Sequence, residues 1–324
     1  MTSDWSAFGL AIGHATDELG GTGLTVIRGV DAPLRGAAAV LGRATGTREI
    51  GTLAVDHVAA RTDAILLSGG SAFGLDAASG VMRWMEERGR GFDVGRGVVP
   101  IVPAAVIFDL APCGSFSARP TAYMAYDACE RAVPRPVEEG SVGAGTGATV
   151  GKGLGLEYAM KGGVGCWKEH AGALEVGALA VVNALGDVRD ECGRIVAGAR
   201  GTDGTFLDVA ATLRGTFGSA SVTPIAMRNT TLAVVAMNVT FSRTELGQVA
   251  RAAGAAFARR ITPAATSFDG DIVFAICPMD AAPSPPLLHV EVLVAHVLEK
   301  AIERSVRMSR TLGGIPGLGE EVRS

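Results

Sequence analysis

Thr230 stands at the head of an uninterrupted apolar run, Thr230-Thr-Leu-Ala-Val-Val-Ala-Met237, directly after Asn229, a residue suited to a turn. An internal threonine hydroxyl is a poor nucleophile at neutral pH, because its proton is held too tightly. Breaking the bond before Thr230 changes this: the hydroxyl gains its own α-amine, with a reference pKa of roughly 7.7 to 8, as a neighbouring base. One residue then supplies both nucleophile and proton acceptor, and a strand would hold both against a substrate carbonyl. The same dipeptide is equally at home as an ordinary β-branched strand edge.

A second group, Ser267-Phe-Asp269-Gly-Asp271, precedes another apolar run, Ile272 to Cys277. Its two carboxylates can orient the Thr230 amine and hydroxyl, or simply build an Asx-turn. The twelve-residue calcium-loop pattern is absent. The glycine-rich stretch from Gly143 to Gly155 carries one cation, Lys152. A phosphate-binding loop needs Gly, four residues, then Gly-Lys and a hydroxyl residue. Here Thr146 occupies the first position and Gly153 the last, so that reading fails, and no glycine cluster has dinucleotide-binding spacing at a helix start. What remains is a backbone with amides available to bind an oxyanion or line a pocket, and a lysine of a type usually solvated at the surface. His14, His57, His170, His289 and His296 show no metal-ligand spacing, and Ser71 lies outside a G-x-S-x-G elbow. Neither a metal nor an organic cofactor is expected.

The elements that must position these residues mix throughout the chain. Strand-like runs recur at Leu24–Ile27, Ile65–Leu67, Val98–Phe108, Val176–Val182, Leu232–Val239 and Ile272–Cys277, with Pro100 and Pro103 weakening the third. A helix carrying Leu75, Ala78, Met82 and Met85 should end at Gly89. Another should begin at Ser242 with Glu245 as capping-box partner, Phe241 and Leu246 as the staple, and Val249, Ala250, Ala253 and Phe257 continuing its apolar face. A last helix, roughly 287–306, is expected to bury Leu288, Val292, Ala295, Leu298 and Ile302, after which residues 307–324 should fray.

The 324 residues are 48% hydrophobic and 19% charged, which supplies a packed core and excludes disorder for most of the chain. Aromatics are only 5% and glycines number 45, so thin layers should pack closely through small side chains. A formal charge of -4 without a basic tract excludes a general nucleic-acid binder. Neither a secretory leader nor a run of about 18 apolar residues is present, so the expected location is cytoplasmic, away from membranes. Asn229-Thr-Thr and Asn238-Val-Thr match glycosylation sequons, but no secretory segment delivers them to that machinery. Five scattered cysteines fit buried thiols better than disulfides.

Taken together, Asn229-Thr-Thr, Asn238-Val with Glu245-Leu, Asp269-Gly-Asp271, Gly143-Ala-Gly with Gly151-Lys152, Ser68-Gly-Gly-Ser-Ala-Phe-Gly and the strand ending at Asn183 resemble the DmpA-type L-aminopeptidase/D-amidase peptidases of family S58. The nylon-oligomer (6-aminohexanoate-oligomer) endohydrolase branch is especially similar. The likeness is order-preserving and runs from about Gly13 to Glu303. It implies an α/β fold of the αββα four-layer sandwich type with N-terminal-nucleophile-hydrolase chemistry. It also implies self-cleavage between Asn229 and Thr230, giving a large segment (1–229) and a small one (230–324) that remain associated and assemble further, as a tetramer by resemblance.

On the same resemblance Thr230 corresponds to the nucleophile, Lys152 to the active-site lysine, Asn183 to an asparagine holding the intermediate, and Asp269 and Asp271 to the acidic pair. Many aminopeptidase members carry Ser at the first position and a Ser/Glu pair at the last two. Thr230 and Asp269 therefore point toward the oligomer-hydrolase branch. The expected function is hydrolysis of short or non-standard amides, 6-aminohexanoate oligomers among them. Alternatives are an aminopeptidase for short or β-amino peptides, an acyltransferase of the ornithine-acetyltransferase type, and a non-catalytic assembly protein.

Overall fold

The computed structural model describes residues 4–215, 229–283 and 285–319. Two five-stranded sheets form its middle. The first runs in the order β1 (Leu10–Asp17), β2 (Thr22–Gly29), β5 (Ala64–Ser68), β8 (Ala104–Val106) and β4 (Gly46–Arg48). The second runs β11 (Gly163–Ala171), β12 (Leu174–Asn183), β15 (Thr230–Met237), β17 (Ile272–Pro278) and β3 (Leu34–Val40). Within these sheets β5–β8 and β15–β17 are parallel pairs and the rest antiparallel. Short pairs lie outside them: β6 (Phe92–Asp93) with β7 (Val98–Val99), β9 (Thr149–Val150) with β10 (Met160–Lys161), and β13 (Asp187–Arg189) between β14 (Ile195–Ala197) and β16 (Ile261–Thr262). The helices are α1 (Ala78–Glu86), α2 (Ala122–Arg131), α3 (Val209–Gly215), α4 (Arg243–Ala253), α5 (Ala255–Arg260) and α6 (Leu287–Arg307).

Side-chain alternation along the strands sorts the layers. Leu232, Val234 and Ala236 of β15 and Ile272, Phe274 and Ile276 of β17 pack with Ile12, Ile27, Ile65 and Leu67 of the first sheet, which makes the inter-sheet core. The alternate residues Ala233, Val235 and Met237 pack instead against Leu246 and Val249 of α4 and Val294 and Leu298 of α6. On the other side Leu24, Val26 and Leu66 meet Val81 and Met85 of α1 and Ala125 and Ala128 of α2. Helices therefore cover both outer faces of two stacked sheets, an αββα sandwich. Both faces of β15 are buried, which is why its sequence reads as a continuous apolar run and not as an alternation. Small residues set the layer spacing: a Cβ on Gly165 of β11 would lie 2.1 Å from Ala301 O of α6.

Local signals are largely realised. Ser242 and Glu245 form the capping box at the start of α4, and Phe241 and Leu246 are buried beside it. Gly254 divides the expected single helix in two, so Phe257 belongs to α5. Pro100 and Pro103 fall in a strandless gap between β7 and β8. Leu75 lies in a 3-10 turn ahead of α1, still packed on the same core.

Three expectations are corrected. In α6, Leu288 and Val292 are 64% and 65% exposed, and the buried row is Val290, Val294, Val297 and Ala301 beside Leu298 and Ile302. The helix is apolar around much of its circumference, so periodicity alone did not locate the face covered by β11 and β12. The residues after α6 do not fray as far as Gly319. Ser309 is buried with its hydroxyl 2.7 Å from Gly162 O, Gly319 N donates to Ser309 O, and Pro316 O accepts from Lys161 N. Residues 320–324 lie outside the described residues. Cys192 is exposed, unlike the other four cysteines.

Candidate active site

β12 ends at Asn183 and β15 begins at Thr230, and these two residues are register partners across the antiparallel pair. Directly opposed residues on such a pair present their side chains on the same face. Thr230 is 5% exposed and its hydroxyl donates to Asn229 O at 2.6 Å, so the oxygen lies against the carbonyl on its own N-terminal side. That carbonyl also accepts a hydrogen bond from Gly270 N at 2.9 Å. A Cβ on Gly270 would sit 2.8 Å from Thr230 Oγ1 and 2.6 Å from Ala44 O, so only glycine lets this turn approach so closely. Asn229 is itself buried, with no hydrogen-bond partner for its side-chain amide among the described residues.

The turn carrying Asp269 and Asp271 is clamped from behind by the loop after β3. Leu41 N and Gly42 N donate to Asp271 O, while Arg43 N and Ala44 N donate to Asp269 O. Asp269 Oδ2 accepts from Thr266 N at 2.7 Å, a local turn bond, and Asp271 Oδ1 accepts from Thr231 N at 2.7 Å. The pair thus builds its own turn and also anchors the first peptide of β15. Both carboxylates are buried, which raises both pKa values; Asp271 is pushed up to about 7, with the neighbouring charge of Asp269 adding to the effect of burial.

Lys152 is 3% exposed, contrary to the surface cation that lysines usually are. Its Nζ lies 2.5 Å from Asn183 Oδ1, 3.1 Å from Thr149 Oγ1, and 3.2 Å from both Asn183 O and Thr149 O. Gly151 N and Gly153 N bond to Gly186 O and Leu185 O, which ties the lysine's turn to the chain just beyond β12. Burial pushes its pKa down to about 7, with Asp269 and Asp109 among the charges that oppose the shift. Asn183 Nδ2 donates to Phe108 O at 3.1 Å. Thr149, whose backbone N donates to Asn183 Oδ1 at 3.1 Å, was not singled out by sequence reasoning. Its only signal was membership of the glycine-rich stretch. Lys152 opens onto a small cavity of about 80 Å³ whose other walls are Phe108, Leu110, Ala111, Pro112, Thr149 and Leu156.

All five residues singled out from sequence therefore gather at one end of the second sheet, from four separate stretches of chain. Titratable groups shifted toward neutrality by burial, beside a hydroxyl, form an arrangement suited to proton transfer and to stabilising an anion. Among the described residues no cluster of His, Cys, Asp or Glu has the makings of a metal site. No helix there is long and apolar enough to cross a membrane.

The family model of peptidase family S58 matches residues 7–318. The chain belongs to that family. It is 39% identical over 303 residues to an uncharacterized aminopeptidase of Mycobacterium tuberculosis, covering 87% of this chain and 84% of the relative. A 6-aminohexanoate-oligomer endohydrolase of a Kocuria species is 32% identical over 274 residues, covering 83% and 72% respectively. The likeness to the oligomer endohydrolases is thus the weaker of the two. Among solved structures, the L-aminopeptidase D-Ala-esterase/amidase of Ochrobactrum anthropi, described as a variant of the Ntn-hydrolase fold, superposes with a TM-score of 0.70 at 17% identity. That superposition covers 98% of this chain and 90% of the other. This S58 chain therefore has an Ntn-hydrolase-like αββα fold and belongs to a family of amidase and peptidase chemistry.

Proposed function

We propose that this chain is a self-cleaving amide hydrolase whose nucleophile is Thr230. The observation that carries the reading is the contact of the Thr230 hydroxyl with Asn229 O, beside the Lys152–Asn183 pair. In maturation the hydroxyl oxygen attacks the Asn229 carbonyl carbon, polarised by Gly270 N. The C–N bond breaks, the acyl group moves to oxygen, and the peptide nitrogen takes up the proton lost by the hydroxyl to become the Thr230 amine. Water then hydrolyses the ester, leaving a carboxylate on Asn229 and restoring the hydroxyl. β15 is hydrogen-bonded to β12 on one side and β17 on the other, which supports continued association of the two segments after the break.

In turnover the Thr230 amine takes the hydroxyl proton as oxygen attacks the substrate amide, then delivers it to the leaving amine. Lys152 and Asn183 stabilise the tetrahedral oxyanion, a contribution of roughly 3 kcal/mol per donor. Asp269 and Asp271 hold the new amine at the start of β15. Water hydrolyses the acyl-enzyme. No step requires a metal or an organic cofactor.

The described residues that line the cavity beside Lys152 are mostly apolar and include no carboxylate, which supports cleavage of short amides with an uncharged acyl side, the internal amides of 6-aminohexanoate oligomers included. Aminopeptidase activity is the second reading, favoured by the higher identity to a relative named as one. Two measurements test these readings. Intact mass should resolve segments of 229 and 95 residues (324 − 229); an uncleaved chain with full amidase activity overturns self-cleavage. A panel of aminoacyl amides against linear and cyclic ω-amino oligomers separates the two substrate classes.

A further inference from the structure

A second buried lysine lies behind the first. Lys161, on β10, is 1% exposed, and its Nζ donates to Thr146 O at 2.6 Å and Ala148 O at 2.7 Å, with Cys113 Sγ at 3.7 Å. The Ala148 carbonyl and the Thr149 N–H belong to one peptide group, and that N–H donates to Asn183 Oδ1. A continuous chain of hydrogen bonds therefore runs from Lys161 Nζ, through a single peptide, to the side-chain oxygen that also meets Lys152 at 2.5 Å. Bonds linked in this way polarise one another in a buried setting.

The opposite side of the Asn183 amide is held in a similar manner. Its Nδ2 donates to Phe108 O, and the next residue, Asp109, is buried with Oδ1 accepting from Gly70 N at 2.6 Å and Oδ2 from Thr22 Oγ1 at 2.7 Å. A buried lysine thus reaches one side of the Asn183 amide through the Ala148–Thr149 peptide, and a buried aspartate follows Phe108, its partner on the other side. With Lys152 Nζ, Thr149 N and Thr149 Oγ1 all converging on Oδ1, the amide has one satisfactory orientation.

We propose that Lys161 is a positioning residue of this reaction centre, acting on the Lys152–Asn183 pair through the Ala148–Thr149 peptide and through its charge, with Asp109 as the opposing member. The proposal rests on Lys152 and Asn183 being the oxyanion donors. The charged and titratable groups acting on Lys152 are Cys113, Lys161, Asp269 and Asp109, and those acting on Lys161 are Cys113 and Asp109. Burial raises the Cys113 thiol, which keeps it uncharged at neutral pH. Burial lowers the Lys161 pKa as it does that of Lys152, with Cys113 and Asp109 opposing the shift; protonated Lys161 repels the charge on Lys152, so Lys161→Met should make Lys152 easier to protonate, and Asp109→Asn should make it harder.

The chain has only four lysines, so 13Cε-lysine NMR resolves the titration of Lys152 directly, its signal being the one lost in Lys152→Met. The expected result for Lys161→Met is a kcat lowered on the order of 10- to 100-fold with KM nearly unchanged, and a Lys152 midpoint moved to higher pH. Asp109→Asn should move that midpoint to lower pH. Wild-type kcat in Lys161→Met, or a loss of rate with the Lys152 midpoint unmoved in both variants, overturns the proposal. If Lys161→Met does not fold, an unmoved midpoint in Asp109→Asn overturns it alone. Wild-type turnover in Lys152→Met and Asn183→Ala would instead overturn the oxyanion-donor reading beneath it.

Discussion

Asn183 and Thr230 face each other as the last residue of one strand and the first of its antiparallel neighbour, with Lys152 Nζ 2.5 Å from Asn183 Oδ1. Two central strands of one sheet thereby bring the proposed nucleophile and Asn183 together on backbone held by ladder hydrogen bonds, and Lys152 reaches Asn183 from its own turn. Sites built on such elements are held more narrowly than sites on loops.

Substitution at Thr230 separates hydroxyl chemistry from folding. Thr230→Ala should give one full-length species and background amide turnover. Thr230→Ser retains the oxygen and the future amine, so it should be cut and keep activity within about tenfold of the parent. Intact mass and an amide-hydrolysis assay read both outcomes; cleavage of the Ala variant would remove Thr230 from the maturation step.

Gly270→Ala should slow maturation without altering the composition of the site. The added methyl would need space already occupied by Thr230 Oγ1 at 2.8 Å and Ala44 O at 2.6 Å, which displaces the hydroxyl from the Asn229 carbonyl. A displacement of this kind costs on the order of 100-fold in rate. Pulse-chase on a denaturing gel measures it directly, and parental processing kinetics would show that the close turn is not needed.

Lys152→Met should lower kcat by about 100- to 1000-fold while KM changes much less, as expected for a donor used mainly in the transition state. Steady-state kinetics on processed protein tests this. A variant with raised KM and unchanged kcat would assign Lys152 to substrate binding alone.

Asp271 gives a pH-dependent stability signature. Its folded-state pKa is raised from 3.8 to about 7, so its favourable contribution is complete below about pH 4 and is lost as pH rises through 7. Asp271→Asn keeps an oxygen for Thr231 N and removes the buried charge. The variant should match the parent's thermal stability near pH 4 and exceed it at pH 8, while amide hydrolysis falls. Asp109 and Asp187, each raised to about 6 by burial, leave some dependence in the same window. Equal Tm differences at both pH values would show that Asp271 is ionised at no cost in the folded protein.

The features legible from sequence were those whose physical cause lies within a few residues. The apolar runs of β15 and β17, the Ser242–Glu245 capping box and the proline-interrupted stretch before β8 depend on near neighbours. The exposed side of α6 was not legible, because Leu288 and Val292 are as apolar as Val290 and Val294, and only the docking of α6 against β11, β12 and α4 distinguishes them. Thr149 was missed for a related reason: its importance comes from Lys152 and Asn183, which reach it from a turn and from a distant strand end.

The sequence by itself determined the chemical inventory: a hydroxyl residue after an asparagine at the head of an apolar run, a lysine among glycines, an asparagine ending a strand, and paired carboxylates around Gly270. Only the tertiary structure decided their electrostatic character. Lys152, Asp269 and Asp271 are ordinary ionisable side chains in water. Once sheet and turn packing removes that water, the charged forms lose their hydration, and all three shift toward the neutral state.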